Sequence, residues 1–228
     1  MSVIAKIVNF ARIHARAKRA QIFLQNYFIT ADTKILDIGS EDGSSIAAVL
    51  QCTEALPKNV FIADINPEPL EEGRARYGFV PVLITESGNL PFEDQFFDIV
   101  YCSSVIEHVT VSKEQVWAIA SGREFSHLAA LRHAGIAKEI RRLGKRYFVQ
   151  TPNKWFLVES YTWLPFVGYL PRRILVPLLR MTNRFWVKRT SPDWRLLTVD
   201  DMRVLFPDAV IEKEKLLGMT KSIMAIKS

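Results

Sequence analysis

Two rhythms of apolar residues alternate along the chain. Short apolar runs bounded by turn residues stand at Ile35–Leu36, Val60–Ala63, Val80–Thr85, Phe97–Tyr101 and Tyr147–Gln150. Between them, apolar residues recur every three or four positions, as in the Ile136, Ile140, Leu143 stripe of a helix expected over 125–143. Strands alternating with helices predict an α/β chain, a doubly wound and mostly parallel sheet. A helix with Thr198 as N-cap and two runs, Ala209–Leu216 and Ser222–Lys227, then predict a closing antiparallel pair, for seven strands in all. Residues 3–28 carry an apolar stripe and predict one N-terminal helix. Ser112 with Gln115 predicts a capping box opening a helix at Lys113. The whole chain is expected to be a single domain: an N-terminal helix (1–30), a core (33–151), a lid (153–195) and a closing helix with a strand pair (196–228).

The densest signal is ILDIGSEDG, Ile35 to Gly43. A short strand closes at Asp37, Gly39 allows the positive φ of a tight turn, and Gly43 precedes the helix opened by Ser44. Strand, glycine turn and helix start together expose unpaired N–H groups. A dinucleotide fits this turn badly. Its glycines stand four apart, without the G-x-G-x-x-G spacing, and Asp37, Glu41 and Asp42 would repel a pyrophosphate. Those carboxylates suit a cationic ligand, and a tight turn without ligand is the alternative. Asp64 closes the next strand, 21 residues after Gly43. There an acid is placed either to accept ribose hydroxyls or to cap the helix at Asn66-Pro67.

The turn resembles motif I of the class I S-adenosylmethionine (SAM)-dependent methyltransferases, hydrophobic-D-x-G-x-G-x-G, with Glu41 in place of the middle glycine. LPFEDQFFDIVYCSSVIEHV resembles the family's L-P-F, F-D-x-V and E-H-V in the same order and spacing, and EIRRLGKRYFVQTPN its helix, fifth strand and loop. The resemblance covers roughly 33–151 and 196–228. It implies a Rossmann-like fold, SAM as cofactor and an enzyme transferring methyl groups. It also implies that Asp37, Gly39, Ser40, Glu41 and Gly43 lie under the amino-acid end of SAM, and Asp64 with Ile65 at the ribose. Glu86 is implied at the adenine amino group, Ser87 with its backbone N–H toward the ring, and Ser103 beside the sulfonium. Tyr101-Cys102-Ser103-Ser104 stands where enzymes acting on amides or exocyclic amines carry N/D-P-P-Y/F, which disfavours those acceptors.

Composition adds little until charge is located. Two cysteines, Cys52 and Cys102, form no framework or metal set, so a cytoplasmic setting is expected, and no apolar run is long enough to span a bilayer. The formal charge of +6 is concentrated. Residues 1–31 carry Lys6, Arg12, Arg16, Lys18 and Arg19 with no acid, and Arg172 to Arg195 carry seven cations against Asp193. Basic ends point to an anionic substrate, an anionic membrane met peripherally, nucleic acid, or a solvated face. The lid segment adds aromatics, among them Trp155, Tyr161, Tyr169 and Trp194, interrupted by Pro165, Pro171 and Pro177.

Methyl transfer to a hydroxyl needs a base, and His108 is the one histidine near the expected methyl position, with a packing role as the alternative. Glu107, Asn153, Glu159 and Tyr161 are candidate acceptor contacts by position. His14, His127 and His133 lack metal spacing. The expected reaction is transfer to an oxygen of a small or lipid-like molecule. The alternatives are a SAM-binding module without catalysis and a nucleic-acid methyltransferase.

Overall fold

A computed structural model of the chain describes residues 16–85, 88–112, 114–156, 161–162, 166–184, 190–216 and 218–228. The expectations placed on Glu86, Ser87, Lys113, Glu159, His14 and the first turns of the N-terminal helix lie outside the described residues.

Seven strands form one sheet: β1 (Ile35–Ile38), β2 (Val60–Asp64), β3 (Val80–Leu83), β4 (Phe97–Ser103), β5 (Gly144–Pro152), β6 (Val210–Leu216) and β7 (Met219–Lys227). Their order is β3-β2-β1-β4-β5-β7-β6. β1 pairs in parallel with β2 on one side and β4 on the other, so the chain reverses its winding at the carboxyl ends of β1 and β4. Open α/β sheets bind their ligands at that switch point. β7, last in the chain, runs antiparallel to both of its neighbours, as its sequence pattern predicts.

Helix α1 (16–26) packs with α2 (Ser44–Leu50) and α3 (Pro67–Tyr77) on one face of the sheet. Phe23 lies edge-on to Tyr101 and Phe148, and the Tyr27 hydroxyl beyond the helix end donates to the Tyr147 carbonyl (2.6 Å). The described part of the N-terminal helix is thus a piece of the core. The other face is covered by α4 (Gly122–Leu143) and α6 (Val199–Leu205). Ser121 and Thr198 cap these two helices, Thr198 in a full capping box with Asp201.

The L-P-F stretch is held by α4. Arg142 donates to the carbonyls of Leu90 and Phe92, Glu139 accepts the Leu90 N–H, and Phe92 joins Phe61, Phe96 and Phe97 in an aromatic cluster.

Within the helix expected after Ser112, the described residues 114–118 are turns. The Val116 and Ile119 carbonyls, which a helix would use internally, accept instead from the guanidinium of Arg172. Arg172 opens α5 (Arg172–Thr182), donates also to the Pro192 carbonyl and lies 3.5 Å from the centre of the Phe125 ring. Around it, Val167, Leu175, Leu179, Trp194 and Leu196 form a small core of the lid's own.

Candidate active site

The glycine turn is built as its sequence requires, with one exception. Gly39 and Gly43 take φ of 72° and 71°, and a Cβ at Gly39 would overlap Val105 from the loop after β4. A Cβ at Gly43 would crowd Ile62 and Phe79, so this glycine serves core packing. Glu41 also lies in the left-handed region, at φ 51°, where the family pattern has glycine. Its backbone N–H is fixed by Asp64 (3.1 Å). Asp64 accepts from the Asn66 N–H with its other oxygen (3.0 Å), so it ties the turn to the end of β2.

The three acids of the turn divide their work. Asp42 receives the Ser44 N–H (3.0 Å) at the start of α2 and faces Arg76. Partial burial pushes the Asp42 carboxyl up, but those partners hold it below its ordinary range. Asp37 is buried with its Oδ2 unpartnered; desolvation, then the nearby Asp64 charge, raise its pKa well above the usual value. Glu41 is exposed beside it in sequence order. Asp37 and Glu41 are therefore the carboxylates left to meet a cation.

Further along the same carboxyl edge, Ser103 and Ser104 both donate to Gln150 Oε1 (2.8 and 3.1 Å) from β4 and the turn after it. Gln150 Nε2 and Ser40 Oγ are buried without partners. A buried acceptor at Asp37, a hydroxyl at Ser40 and a donor at Gln150 fit a ligand carrying both an ammonium and a carboxylate, the pair SAM presents at its methionine end. Ile65 is 58% exposed just past Asp64, an apolar surface where the ribose and base are expected.

Just after β4, residues of the 153–195 segment meet the E-H-V stretch. His108 Nδ1 lies 3.4 Å from Asp193 Oδ1, and its ring is edge-on to Tyr161 at 4.4 Å. The Asp193 carbonyl accepts from Thr110 (2.5 Å), and the Arg195 N–H bonds the Glu107 carbonyl (2.8 Å). Glu107 has no exposed surface and accepts from Thr151 (2.9 Å) and Tyr161. Burial raises its pKa, against the lowering effect of His108 and these donors. Glu107 is thus an internal anchor and no acceptor contact. Asn153 is buried as well, with its amide N–H on the Thr220 carbonyl (2.9 Å) and its Oδ1 unpartnered. The partners sequence reasoning missed are Asp193, Gln150 and Val105. Only Asp193 had a signal, as a lone acid among cations.

Residues 36–122 match the family model of a methyltransferase domain. No curated protein matches the chain. Among solved structures, the SAH-bound magnesium protoporphyrin IX methyltransferase of Synechocystis PCC 6803 is 15% identical, covers 100% of this chain and 89% of its own, and has a TM-score of 0.54. A Pyrococcus horikoshii OT3 protein is 14% identical over 96% of this chain and 92% of its own, with a TM-score of 0.58. The Haloferax volcanii complex of the Trm112 methyltransferase activator with a putative methyltransferase gives 12% identity, 93% and 88% coverage, and a TM-score of 0.55. At these identities the solved structures show the fold alone. Residues 36–122 are thus similar to a methyltransferase domain, within a chain that shares the fold of these solved structures.

Proposed function

We propose that the protein methylates an oxygen of a small or lipid-like acceptor held between the carboxyl end of β4 and the lid. The observation that carries this reading is the His108–Asp193 pair, made by the lid closing on the E-H-V stretch. Asp193 at Nδ1 favours the tautomer with its proton there, which makes Nε2 the basic nitrogen. In this reading His108 takes the hydroxyl proton as the acceptor oxygen becomes a nucleophile, and the Asp193 carboxylate stabilises the imidazolium that results.

SAM, when bound, supplies an electrophilic methyl group on a sulfonium. Asp37, Glu41 and the donor of Gln150 would hold its methionine end, Asp64 and Ile65 its ribose, and Ser103 would lie near the sulfur. Among the rest, Glu86 and Ser87 are proposed at the adenine by resemblance alone. The remaining work of the chain is alignment and exclusion of water, which Tyr161, itself stacked on Trp194, supports by packing on His108. Incubating cell extract with the protein and methyl-labelled SAM, then locating the label by mass spectrometry, tests the reading. Label on an oxygen is expected; label on nitrogen, carbon or RNA would overturn it.

A further inference from the structure

Helix α5 carries its polar and apolar residues in an arrangement that water alone does not explain. Leu175, Val176, Leu179 and Thr182 are buried against the lid core. At 100° per residue, the outward arc then holds Arg173 and Arg180 side by side, with Ile174, Pro177 and Met181 next to them. Ile174 and Met181 are each 53% exposed. An outward helix face in water is expected to mix charges of both signs. Here there is no acid: the exposed residues of α5 include Arg173 and Arg180, the latter also donating to the Trp117 carbonyl (3.1 Å), and no Asp or Glu stands between 160 and 192. Just before the helix, Phe166 is 59% and Tyr169 46% exposed, on a segment otherwise tied into the lid.

We infer that this face of α5 docks on an anionic lipid bilayer, with the helix lying in the plane of the surface. The charge is complementary to such a surface. The pairing of long cationic side chains with an exposed aliphatic strip is that of helices resting at a lipid interface, where arginines reach back to the headgroups. A polyanion without an apolar phase would leave Ile174 and Met181 unexplained. No helix among the described residues is long and apolar enough to cross a membrane, so the contact is peripheral.

Docking has a consequence for the site. The segment that carries α5 also supplies Tyr161 and Asp193 to His108. Resting on its proposed role as an acceptor lid, α5 would present that side of the site to the bilayer. The acceptor class is then an amphiphile carrying a hydroxyl at the headgroup level.

Sedimentation of the full chain with phosphatidylcholine vesicles, with and without phosphatidylglycerol, tests the inference. The wild type should bind the anionic vesicles and bind the neutral ones far less. Arg173→Gln should lower vesicle affinity about fivefold. The Ile174→Ser/Met181→Ser double variant should bind more weakly still, and should keep the wild-type affinity for SAM, which shows that it is folded. Absence of wild-type binding to anionic vesicles would overturn the proposal. So would vesicle binding unchanged in the serine variant, or wild-type binding to RNA that the serine changes leave intact while vesicles fail to compete. The SAM affinity and turnover on a detergent-dispersed acceptor report on the methyl-transfer reading separately.

Discussion

Asp64 accepts the backbone N–H of Glu41 at 3.1 Å, across the gap between the end of β2 and the glycine turn. The residue expected at the ribose is therefore also the brace of the turn. Asp64→Ala should both weaken SAM and lower stability, since it removes charge-assisted bonds to two backbone N–H groups. The stability loss should be about 1.5–3 kcal/mol. Thermal unfolding with and without SAM checks this. An unchanged melting temperature would show that the brace contributes nothing.

Glu41 is strained where a glycine would not be. Its φ of 51° costs a non-glycine residue roughly 1–2 kcal/mol. Glu41→Gly should raise the melting temperature by about 2–4 °C for each kcal/mol recovered in a chain of this size. It should also weaken SAM binding by removing one of the two carboxylates left for the cation. A variant that binds SAM more tightly would show that the side chain obstructs the site.

His133 on α4 gives a pH dependence with a definite sign. It is 1% exposed, and burial followed by the charge of Arg195 pushes its pKa down to about 4. Unfolded, it titrates near 6.5. Below that value the unfolded chain takes up a proton that the folded chain refuses, so stability falls as pH drops from about 6.5 towards 4, by about 3 kcal/mol at most. Asp37 and Glu107, whose pKa values are raised, act with the opposite sign and offset part of the slope. Denaturant unfolding at pH 7, 5.5 and 4.5 should therefore show a smaller loss for His133→Gln than for wild type. Identical slopes would contradict the assignment.

Arg172 fastens the lid. Its substitution by Met leaves the carbonyls of Val116, Ile119 and Pro192 without their donor, each at a cost of about 1–3 kcal/mol where they stay buried. The glycine turn and β2 are built without it, so SAM affinity should persist while turnover falls and proteases cut the lid faster. Equal loss of SAM affinity would mean that the two halves of the site are not separable.

Much of this was legible in the sequence because it depends on local chemistry. The strand–helix alternation, the positive φ at Gly39 and the Thr198 cap each follow from a few adjacent residues. What stayed hidden depends on contacts distant in the chain. Within the helix expected after Ser112, residues 114–118 are turns because Arg172, more than fifty positions later, takes the carbonyls of Val116 and Ile119. Glu107 and Asn153 looked like acceptor contacts by position, yet one is closed off by Thr151 and Tyr161 and the other is bonded to the start of β7. Asp193 meets His108 only once the lid has folded back.

The base assignment is the centre of the account, and turnover of His108→Gln on the labelled acceptor tests it most directly. With SAM affinity unchanged, kcat should fall about 10²–10⁴-fold. Turnover at the wild-type rate, with the label on the same oxygen, would contradict it.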